Sequence, residues 1–238
     1  MRINGWARTS LIDFPQHIAA MLFAGGCNFR CPMCHNTDLV LHPADLPVVA
    51  TGEILAFLSA RIGKLTGVVL SGGEPTLQPD LADFARAVRA LGYAVKLDTN
   101  GYLPDALAAL LDAGLLDYVA MDLKAPPEKY ALLSGLPSID MARVAQSVAL
   151  LAASDIPHEF RTTIVPGLLA AGDIVDLSRW LAGVTGDALT CSWYLQSFRG
   201  LNTLDPALEG IAPYSPADMQ TMADQARQWV PHVAVRGF

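Results

Sequence analysis

The segment "IAAMLFAGGCNFRCPMCHN", residues 18–36, joins a short apolar run to a cluster of cysteines. The run "IAAMLF" (18–23) predicts a buried β-strand. Cys27, Cys31 and Cys34 follow it in the spacing C-x3-C-x2-C. Three thiols this close together at a strand end predict a metal centre, although a closed structural site has four ligands.

Similar runs predict five further strands: "GVVL" (67–70), "YAVKL" (93–97), "DYVAM" (117–121), "HEFRTTIV" (158–165) and "CSWYLQ" (191–196). Segments of helical period lie between them. Their apolar stripes are Ile54, Phe57, Leu58 and Ile62; Leu81, Phe84, Val88 and Leu91; Leu107, Leu110 and Leu111; and Met141, Val144, Val148 and Leu151. A last helix is predicted to begin at Ser215-Pro216, a serine N-cap followed by proline. The tail, residues 232–238, predicts one more strand.

The alternation of strands and helices predicts an α/β fold with a mostly parallel sheet. Six strand–helix units are too few for a closed eightfold barrel. We therefore predict a partial, open (β/α)6 TIM-like barrel that forms a single domain over residues 1–238. Residues 1–17 are predicted to form a short N-terminal β arm, arranged as a hairpin.

Polar motifs follow the strands one by one. "GGC" follows the first strand, "SGGE" the second, "DTNG" the third and "DLK" the fourth. Arg161 and Gln196 lie late in the fifth and sixth strands. Barrel active sites are built at the carboxyl ends of the strands, so we expect these motifs to converge on one mouth.

The composition is acidic, because 16 Lys and Arg stand against 23 Asp and Glu, a net charge of −7. This balance argues against binding to nucleic-acid phosphates, which normally uses a basic surface. The N-terminus shows no secretory signal pattern, and the apolar run "IAAMLFAGG" is too short to span a bilayer. We therefore expect a cytoplasmic protein with no nucleic-acid and no membrane partner.

Two kinds of centre fit the three cysteines on spacing alone. Structural zinc takes four ligands, but His35 adjoins Cys34, and neighbouring residues rarely bind the same ion. Cys191, the fourth cysteine, lies in a predicted strand and is expected to be structural. A [4Fe–4S] cluster usually has four cysteines, so three would leave one iron open to another ligand. An open position of this kind indicates chemistry rather than scaffolding.

The cysteine motif, with "GGEP" (72–75) after the second strand, resembles the radical S-adenosylmethionine (SAM) enzymes. The resemblance implies that the three cysteines bind a [4Fe–4S] cluster whose open iron chelates the methionine part of SAM. It also implies that one electron from the cluster cleaves SAM to methionine and a 5′-deoxyadenosyl radical. Two glycines allow a close approach of the backbone to a ligand. The residues implied to line the methionine amino group are Ser71, Gly72, Gly73 and Glu74.

Longer segments narrow the resemblance: "TSLIDFPQHIAAMLFAGGCNFRCPMCHN" (9–36), "SGGEPTLQPDL" (71–81), "VKLDTNGY" (95–102), "YVAMDLKAP" (118–126), "EFRTTIVPG" (159–167) and "NTLDP" (202–206). Together they are similar to the activating proteins of anaerobic ribonucleoside-triphosphate reductases, which are glycyl-radical-enzyme activases like the pyruvate formate-lyase activating enzyme. The resemblance departs at Gln16, where glycine is expected. It implies that the reductase is a protein substrate that receives a glycyl radical, with flavodoxin or ferredoxin as electron donor.

The same resemblance implies roles for polar residues at the strand ends. Hard oxygen ligands suit a monovalent cation, Na+ or K+, near the cofactor carboxylate. The residues implied to hold it are Asp98, Thr99, Met121 through its carbonyl, and Asp122. Those implied to contact the cofactor are Phe29, Met33, Asp98, Asn100, Lys124 and Arg161. Turn capping by Asp and Asn, and ordinary surface exposure of Lys and Arg, are the structural alternatives.

Two other functions stay open. A radical SAM enzyme that acts on a metabolite, such as a 7-carboxy-7-deazaguanine synthase-like enzyme, would carry the same motifs. A non-catalytic iron–sulfur or zinc-binding protein would share only the cysteines. That last function would leave "SGGEP", "DTNG" and "MDLK" without a common explanation.

Overall fold

A computed structural model describes residues 1–186 and 192–237 of the protein. Within these ranges the strands are β1 (Ile3–Ser10), β2 (Ala19–Ala24), β3 (Gly67–Gly72), β4 (Ala94–Thr99), β5 (Tyr118–Asp122), β6 (His158–Ile164), β7 (Ser192–Ser197) and β8 (Val233–Arg236). The helices are α1 (Thr37–Leu41), α2 (Thr51–Ser59), α3 (Leu81–Ala90), α4 (Pro104–Asp112), α5 (Pro127–Ser134), α6 (Met141–Ala152), α7 (Ala171–Thr185) and α8 (Pro216–Ala226).

The strands follow one another in the sheet in chain order, from β1 to β8. β1 is antiparallel to β2, and the pairs β2–β3, β3–β4, β6–β7 and β7–β8 are parallel. All six predicted strands are confirmed, and the predicted tail strand is β8. The N-terminal arm predicted over residues 1–17 contains one strand, β1, which pairs antiparallel with β2. The hairpin predicted within residues 1–17 is therefore wrong, because the partner strand of β1 lies beyond residue 17. Cys191, predicted to be structural, lies outside the described residues.

The chain forms two compact units, and the single domain predicted over residues 1–238 stays a prediction. Unit 1 comprises Met1–Asn28 and Asp38–Ala120. Part of its core is a cluster of Phe14, Ala19 and Val69, against which Met21, Ala94 and Tyr118 pack. The predicted stripe of α3 is confirmed, because Leu81, Phe84 and Val88 are buried.

One predicted core position in unit 1 is wrong. Ile62 was placed on the apolar face of α2, but that helix ends at Ser59 and the Ile62 side chain is 58% exposed. The chain turns after the helix, with Arg61 N donating to the Leu58 carbonyl at 2.9 Å. Because of this turn, Leu65 rather than Ile62 is buried.

Unit 2 comprises Phe29–Thr37 and the described part of Met121–Phe238. Trp193 and Phe160 are fully buried on neighbouring strands, and Trp193 Nε1 donates to Thr162 Oγ1 at 2.9 Å. α8 begins as predicted, because Ser215 Oγ accepts from Asp218 N at 3.1 Å. Throughout residues 1–186 and 192–237, no helix combines the length and apolar character needed to cross a membrane.

Candidate functional site

The "SGGE" motif packs directly onto the backbone that leads into the first cysteine. β2 and β3 are parallel, and Ala24 lies opposite Gly72 where both strands end. Gly73 N donates to the Ala24 carbonyl at 2.8 Å, and Glu74 N donates to the Gly26 carbonyl at 2.8 Å. A Cβ atom at Gly73 would lie 2.0 Å from that Gly26 oxygen, and one at Gly72, whose φ is +116°, would lie 2.3 Å from Ala24 N. The two glycines therefore allow the two backbones to touch.

Glu74 is fully buried and ties the end of β3 to the end of β4. Its carboxylate accepts hydrogen bonds from Thr76 N at 3.1 Å, Thr76 Oγ1 at 2.6 Å, Thr99 Oγ1 at 2.8 Å and Asn100 N at 2.7 Å. Burial raises the pKa of the Glu74 carboxyl, and the hydrogen bonds oppose this rise. The carboxylate thus fixes the "DTNG" segment in place, and its expected contact with the methionine amino group stays a prediction.

Asn100 places its amide against the first cysteine. Tyr102 N donates to Asn100 Oδ1 at 3.0 Å, which orients the amide. Asn100 Nδ2 then donates to Asn28 Oδ1 at 2.7 Å and to Cys27 Sγ at 3.9 Å. Asn28 Nδ2 is buried and has no hydrogen-bond partner within the described ranges. An unused donor beside the cysteine is therefore available to a bound group.

Asp98 already has a cationic partner in unit 1. Lys96 Nζ donates to Asp98 Oδ1 at 2.6 Å, and the two side chains are only 4% and 10% exposed. Residues i and i+2 of a strand point to the same face, so β4 itself brings the two charges together. The ammonium also lies 5.9 Å from the centre of the Tyr118 ring, within the range of a cation–π contact.

In unit 2, the C-terminal end of α5 supports the segment that carries the other two cysteines. Arg30 N donates to the Ser134 carbonyl at 2.8 Å. Gly135 follows α5 in the left-handed conformation, and a Cβ atom there would lie 1.9 Å from the Arg30 oxygen. Phe29 and Met33 are buried, so this segment has an apolar environment.

The "NTLDP" segment supports the same cysteine segment. Leu204 N donates to the Cys34 carbonyl at 3.0 Å, and Asp205 N donates to the Pro32 carbonyl at 2.9 Å. Cys34 N in turn donates to the Cys31 carbonyl at 3.0 Å, which closes a turn between the two cysteines. These main-chain contacts give "NTLDP" a positioning role for both thiols.

His35 is a hydrogen-bond partner of the backbone. Its Nε2 lies 2.9 Å from the Arg199 carbonyl oxygen. The contact occupies Nε2, so a zinc ion could bind this imidazole only through Nδ1.

Asp122 lies between two cations of unit 2. Lys124 Nζ donates to Asp122 Oδ2 at 2.9 Å, and Arg161 Nε donates to Asp122 Oδ1 at 2.9 Å. Burial alone would raise the pKa of Asp122, but the Arg161 and Lys124 charges hold it well below its usual range. Burial likewise disfavours the Lys124 ammonium, yet the Asp122 carboxylate raises its pKa above the usual value. The three side chains are therefore ionised together.

Cys31 lies in the field of this charged group. Its side chain is buried, and burial raises the pKa of the thiol, which the Lys124 ammonium opposes. Metals bind the thiolate, so metal binding here displaces a proton.

The chemistry of these residues fits a [4Fe–4S] cluster and SAM. Cys27, Cys31 and Cys34 are thiols rather than disulfides, with a buried amide donor at the first and apolar side chains around the others. In the part of the chain that the structure describes, no three His, Cys, Asp or Glu side chains gather as they would around a single metal ion. A cubane cluster does not require three side chains to surround one ion, because each thiolate binds a different iron. Of the residues expected to bind a monovalent cation, the two carboxylates, Asp98 and Asp122, are each paired with cationic side chains instead.

The structure brings the predicted site residues into two groups, one in each unit. The group in unit 1 is Cys27, Ser71, Gly72, Gly73, Glu74, Asp98, Thr99 and Asn100. The group in unit 2 is Phe29, Cys31, Met33, Cys34, Met121, Asp122, Lys124 and Arg161. Their convergence on one mouth stays a prediction. Residues of interest that sequence reasoning missed are Asn28, Thr76, Lys96, Ser134 and Gly135.

Comparison with known proteins gives two kinds of relative. A family model described as "Radical SAM superfamily" matches residues 21–180. A protein of Methanocaldococcus jannaschii named "Putative glycyl-radical enzyme activating enzyme" is 29% identical over 240 residues, which cover 98% of this chain and 95% of that protein. A "Probable GTP 3′,8-cyclase" of Saccharolobus islandicus is 34% identical over 119 residues, which cover 48% of this chain and 37% of that protein.

Solved structures share the fold. SuiB of Streptococcus suis bound to S-adenosylmethionine has a TM-score of 0.66 at 14% identity, covering 91% of this chain and 52% of SuiB. TYW1 with a lysine-pyruvate adduct has a TM-score of 0.65 at 15% identity, covering 89% of this chain and 74% of TYW1. At these identities the likeness is evidence for the fold alone. It confirms the predicted fold class, a partial α/β barrel.

Proposed function

Because the family match spans more than half of the chain, the protein belongs to the radical SAM superfamily, and we propose that it is a glycyl-radical-enzyme activase. Its protein substrate in this proposal is an anaerobic ribonucleoside-triphosphate reductase. The observation that carries the proposal is the Methanocaldococcus jannaschii relative, whose similarity runs along almost all of both chains. A similarity limited to a shared catalytic domain would cover only part of one of them.

Membership of the superfamily implies a [4Fe–4S] cluster and SAM. Bound at the residues described above, the cluster and SAM would supply reductive cleavage of SAM by one electron, the chemistry needed to remove a hydrogen atom from a glycine. In the proposal, Cys27, Cys31 and Cys34 hold the cluster. The glycine contacts of "SGGE" position the first of these cysteines, and α5 together with "NTLDP" positions the other two.

The side chains around the cysteines control water and charge. Phe29 and Met33 exclude water from the cysteine segment, which influences the potential of a bound cluster. Asn100 donates to the Cys27 sulfur and so stabilises negative charge there. Lys124 and Arg161 are proposed to contact the cofactor, as are Ser71 to Glu74 through their backbone.

A protein substrate is consistent with peptide binding by another protein of similar fold. SuiB has been solved bound to its precursor peptide SuiA, and that structure has a TM-score of 0.67 against this chain. We extend peptide binding to this chain as part of the proposal. Flavodoxin or ferredoxin as electron donor and a cytoplasmic location complete it.

The cyclase relatives favour a second candidate, a radical SAM enzyme that acts on a small molecule. Their similarity covers less than half of this chain, so it supports the shared chemistry more than the substrate. A 7-carboxy-7-deazaguanine synthase-like activity belongs to this candidate. It predicts turnover of a pterin-type substrate without any protein partner.

Electron paramagnetic resonance tests the first candidate. The cluster is reconstituted and reduced without oxygen, and the enzyme is mixed with SAM and the anaerobic reductase from the same genome. We expect a glycyl-radical doublet that requires both proteins and is absent with the Cys34→Ala enzyme. Formation of 5′-deoxyadenosine without the doublet would contradict the reductase as substrate, and the pterin assay would then distinguish the second candidate.

A further inference from the structure

Both carboxylates expected to bind Na+ or K+ are already neutralised by side chains. In unit 1, Asp98 is paired with Lys96 at 2.6 Å. In unit 2, Asp122 is paired with Lys124 at 2.9 Å and with Arg161 at 2.9 Å. In each unit, the aspartate is therefore neutralised by cationic side chains of the same unit.

Given the function proposed above, we propose that side chains supply the positive charge that a monovalent cation would bring: Lys96 at Asp98 in unit 1, and Lys124 with Arg161 at Asp122 in unit 2. The chain then binds and cleaves SAM without Na+ or K+. The two expected carboxylate ligands, Asp98 and Asp122, are present in the sequence, but the structure pairs them with ammonium and guanidinium groups.

The burial of Lys96 supports this proposal in unit 1. Its side chain is 4% exposed, and its neighbours in β4, Val95 and Leu97, are fully buried. A buried charge is tolerated only when it is paired. A metal ion that took Asp98 would leave the Lys96 ammonium buried without this carboxylate, which is strongly unfavourable. Lys96 and Asp98 are two residues apart in β4 and lie on the same face of the strand. The strand therefore keeps the ammonium next to the carboxylate.

The geometry around Asp122 supports it in unit 2. Lys124 binds Oδ2 and Arg161 binds Oδ1, so each carboxylate oxygen has a cation of its own. These side chains are partly exposed, at 19% for Lys124 and 16% for Arg161. An added metal ion at Asp122 would be repelled by both positive groups.

The wild-type enzyme gives the first test. SAM binding is measured by equilibrium dialysis, and 5′-deoxyadenosine formation is measured separately, in potassium, sodium and tetramethylammonium chloride at equal ionic strength. Reduction by a photoexcited deazaflavin avoids adding sodium with the reductant. We expect binding and rate to differ by less than about twofold among the three salts. A loss of tenfold or more in tetramethylammonium would overturn the proposal.

Substitution gives the second test. Lys96→Met removes the ammonium and keeps Asp98, so we expect weak SAM binding in tetramethylammonium that K+ or Na+ restores. The double variant Lys96→Met/Asp98→Asn removes both charges and leaves no buried charge without a partner. It should bind SAM weakly in every salt, without rescue. The matched control is Lys64→Met, because Lys64 is exposed on the surface of unit 1.

The outcomes separate the two proposals. Unchanged SAM binding by a folded Lys96→Met enzyme in tetramethylammonium would contradict the role of Lys96. If Lys96→Met does not fold, full binding by the double variant would contradict it equally. SAM binding needs no reductase, so these results hold even if the protein substrate is wrong. No SAM binding by wild type in any salt would contradict the proposed function, and this inference with it.

Discussion

At the scale of single residues, Asn100 connects the "SGGE" motif to the first cysteine. Its backbone N–H binds the Glu74 carboxylate, and its side-chain amide donates to Cys27 Sγ. The sequence predicted a cofactor role for Asn100, with turn capping as the alternative. The structure shows that the amide also serves the local turn, because Tyr102 N binds Oδ1. The two roles are compatible, since they use opposite ends of one amide.

Removing the Asn100 amide should lower the midpoint potential of the cluster. Hydrogen bonds to cysteine sulfur stabilise the reduced, more negative state. We expect Asn100→Ala to shift the potential downward by up to about 59 mV, a tenfold change in a one-electron equilibrium. A redox titration followed by electron paramagnetic resonance measures the shift.

The matched control is Thr76→Val, which removes a hydrogen bond to Glu74 and leaves the Asn100 amide and Cys27 untouched. An equal shift in both variants would attribute the effect to a loosened turn instead of the amide. An unchanged potential in Asn100→Ala would contradict the role of the hydrogen bond to sulfur.

The three clustered cysteines should be distinguishable from the fourth. We expect Cys27→Ala, Cys31→Ala and Cys34→Ala each to abolish SAM cleavage, because each removes one proposed cluster ligand. Cys191→Ala should keep the cluster and most of the activity. Iron and sulfide content, with 5′-deoxyadenosine yield, measure both effects. Loss of the cluster in Cys191→Ala would contradict the assignment of three ligands.

Lys96 shows what residue-level reading of the sequence missed. The prediction of Asp98 as an oxygen ligand rested on the motif "DTNG" alone, which begins after Lys96. The signal for Lys96 was available, because "KLD" places a lysine two residues before the aspartate on a strand. Asn28 offered no such signal, since its contact with Asn100 joins residues that are 72 positions apart.

At the scale of elements, close contacts between loops fix the cysteine segments. Gly73→Ala would place a Cβ atom 2.0 Å from the Gly26 carbonyl oxygen, a backbone atom that cannot turn aside. We expect a loss of about 1–3 kcal/mol in the free energy of unfolding, the usual range for overpacking. Because Gly26 immediately precedes Cys27, cluster content should fall as well. Chemical denaturation and iron analysis measure the two effects.

Gly183→Ala is the control for this substitution. Gly183 lies in α7, and a Cβ atom there would meet nothing within 4 Å. Alanine favours helix over glycine, so this variant should be as stable as wild type or more stable. Equal stability of Gly73→Ala and Gly183→Ala would contradict the packing role of the glycines in "SGGE".

His158, at the start of β6, should make the apoprotein less stable in mild acid. Its Nδ1 lies 2.9 Å from the Ile156 carbonyl, while Nε2 is buried with no hydrogen-bond partner among the described residues. Burial lowers the pKa of the imidazole below its ordinary value of 6.5. The unfolded chain therefore binds a proton at a higher pH than the folded chain. Stability due to this group is complete above pH 6.5 and falls as the pH drops toward the folded pKa.

We expect His158→Gln to flatten the pH dependence of the free energy of unfolding between about pH 7 and pH 5. The change cannot exceed about 1.4 kcal/mol per pH unit, the value for one proton. Urea denaturation of the apoprotein at several pH values measures it. His42→Gln, at an exposed position, is the control. The same slope in His158→Gln and wild type would contradict the effect of burial.

Element prediction succeeded where periodicity was clear and failed where chain turns decided the outcome. All six strands were found because apolar runs stand out between polar motifs. Ile62 continued the stripe of α2 in sequence, but the helix ended before it could reach that face. α1, α5 and α7 were not predicted. α5 has only eight residues, and its buried set of Tyr130, Leu133 and Ser134 gives no extended apolar stripe.

At the scale of the whole molecule, the family was within reach of the sequence, but the substrate was not. The cysteine motif and "GGEP" lie at strand ends that the structure confirms, and the superfamily match spans both motifs. In the proposed function the target glycine lies in another protein, so no residue of this chain encodes it directly. The contacts of "NTLDP" with the cysteine segment were also beyond sequence reasoning, because they are main-chain hydrogen bonds.

Transfer of one deuterium atom tests the activase proposal most directly. The anaerobic reductase from the same genome is produced with α-dideuterated glycine and incubated with the reconstituted, reduced enzyme and SAM. If the enzyme removes a hydrogen atom from a glycine of the reductase, the 5′-deoxyadenosine formed should contain one deuterium by mass spectrometry. 5′-Deoxyadenosine that forms without deuterium would contradict the account.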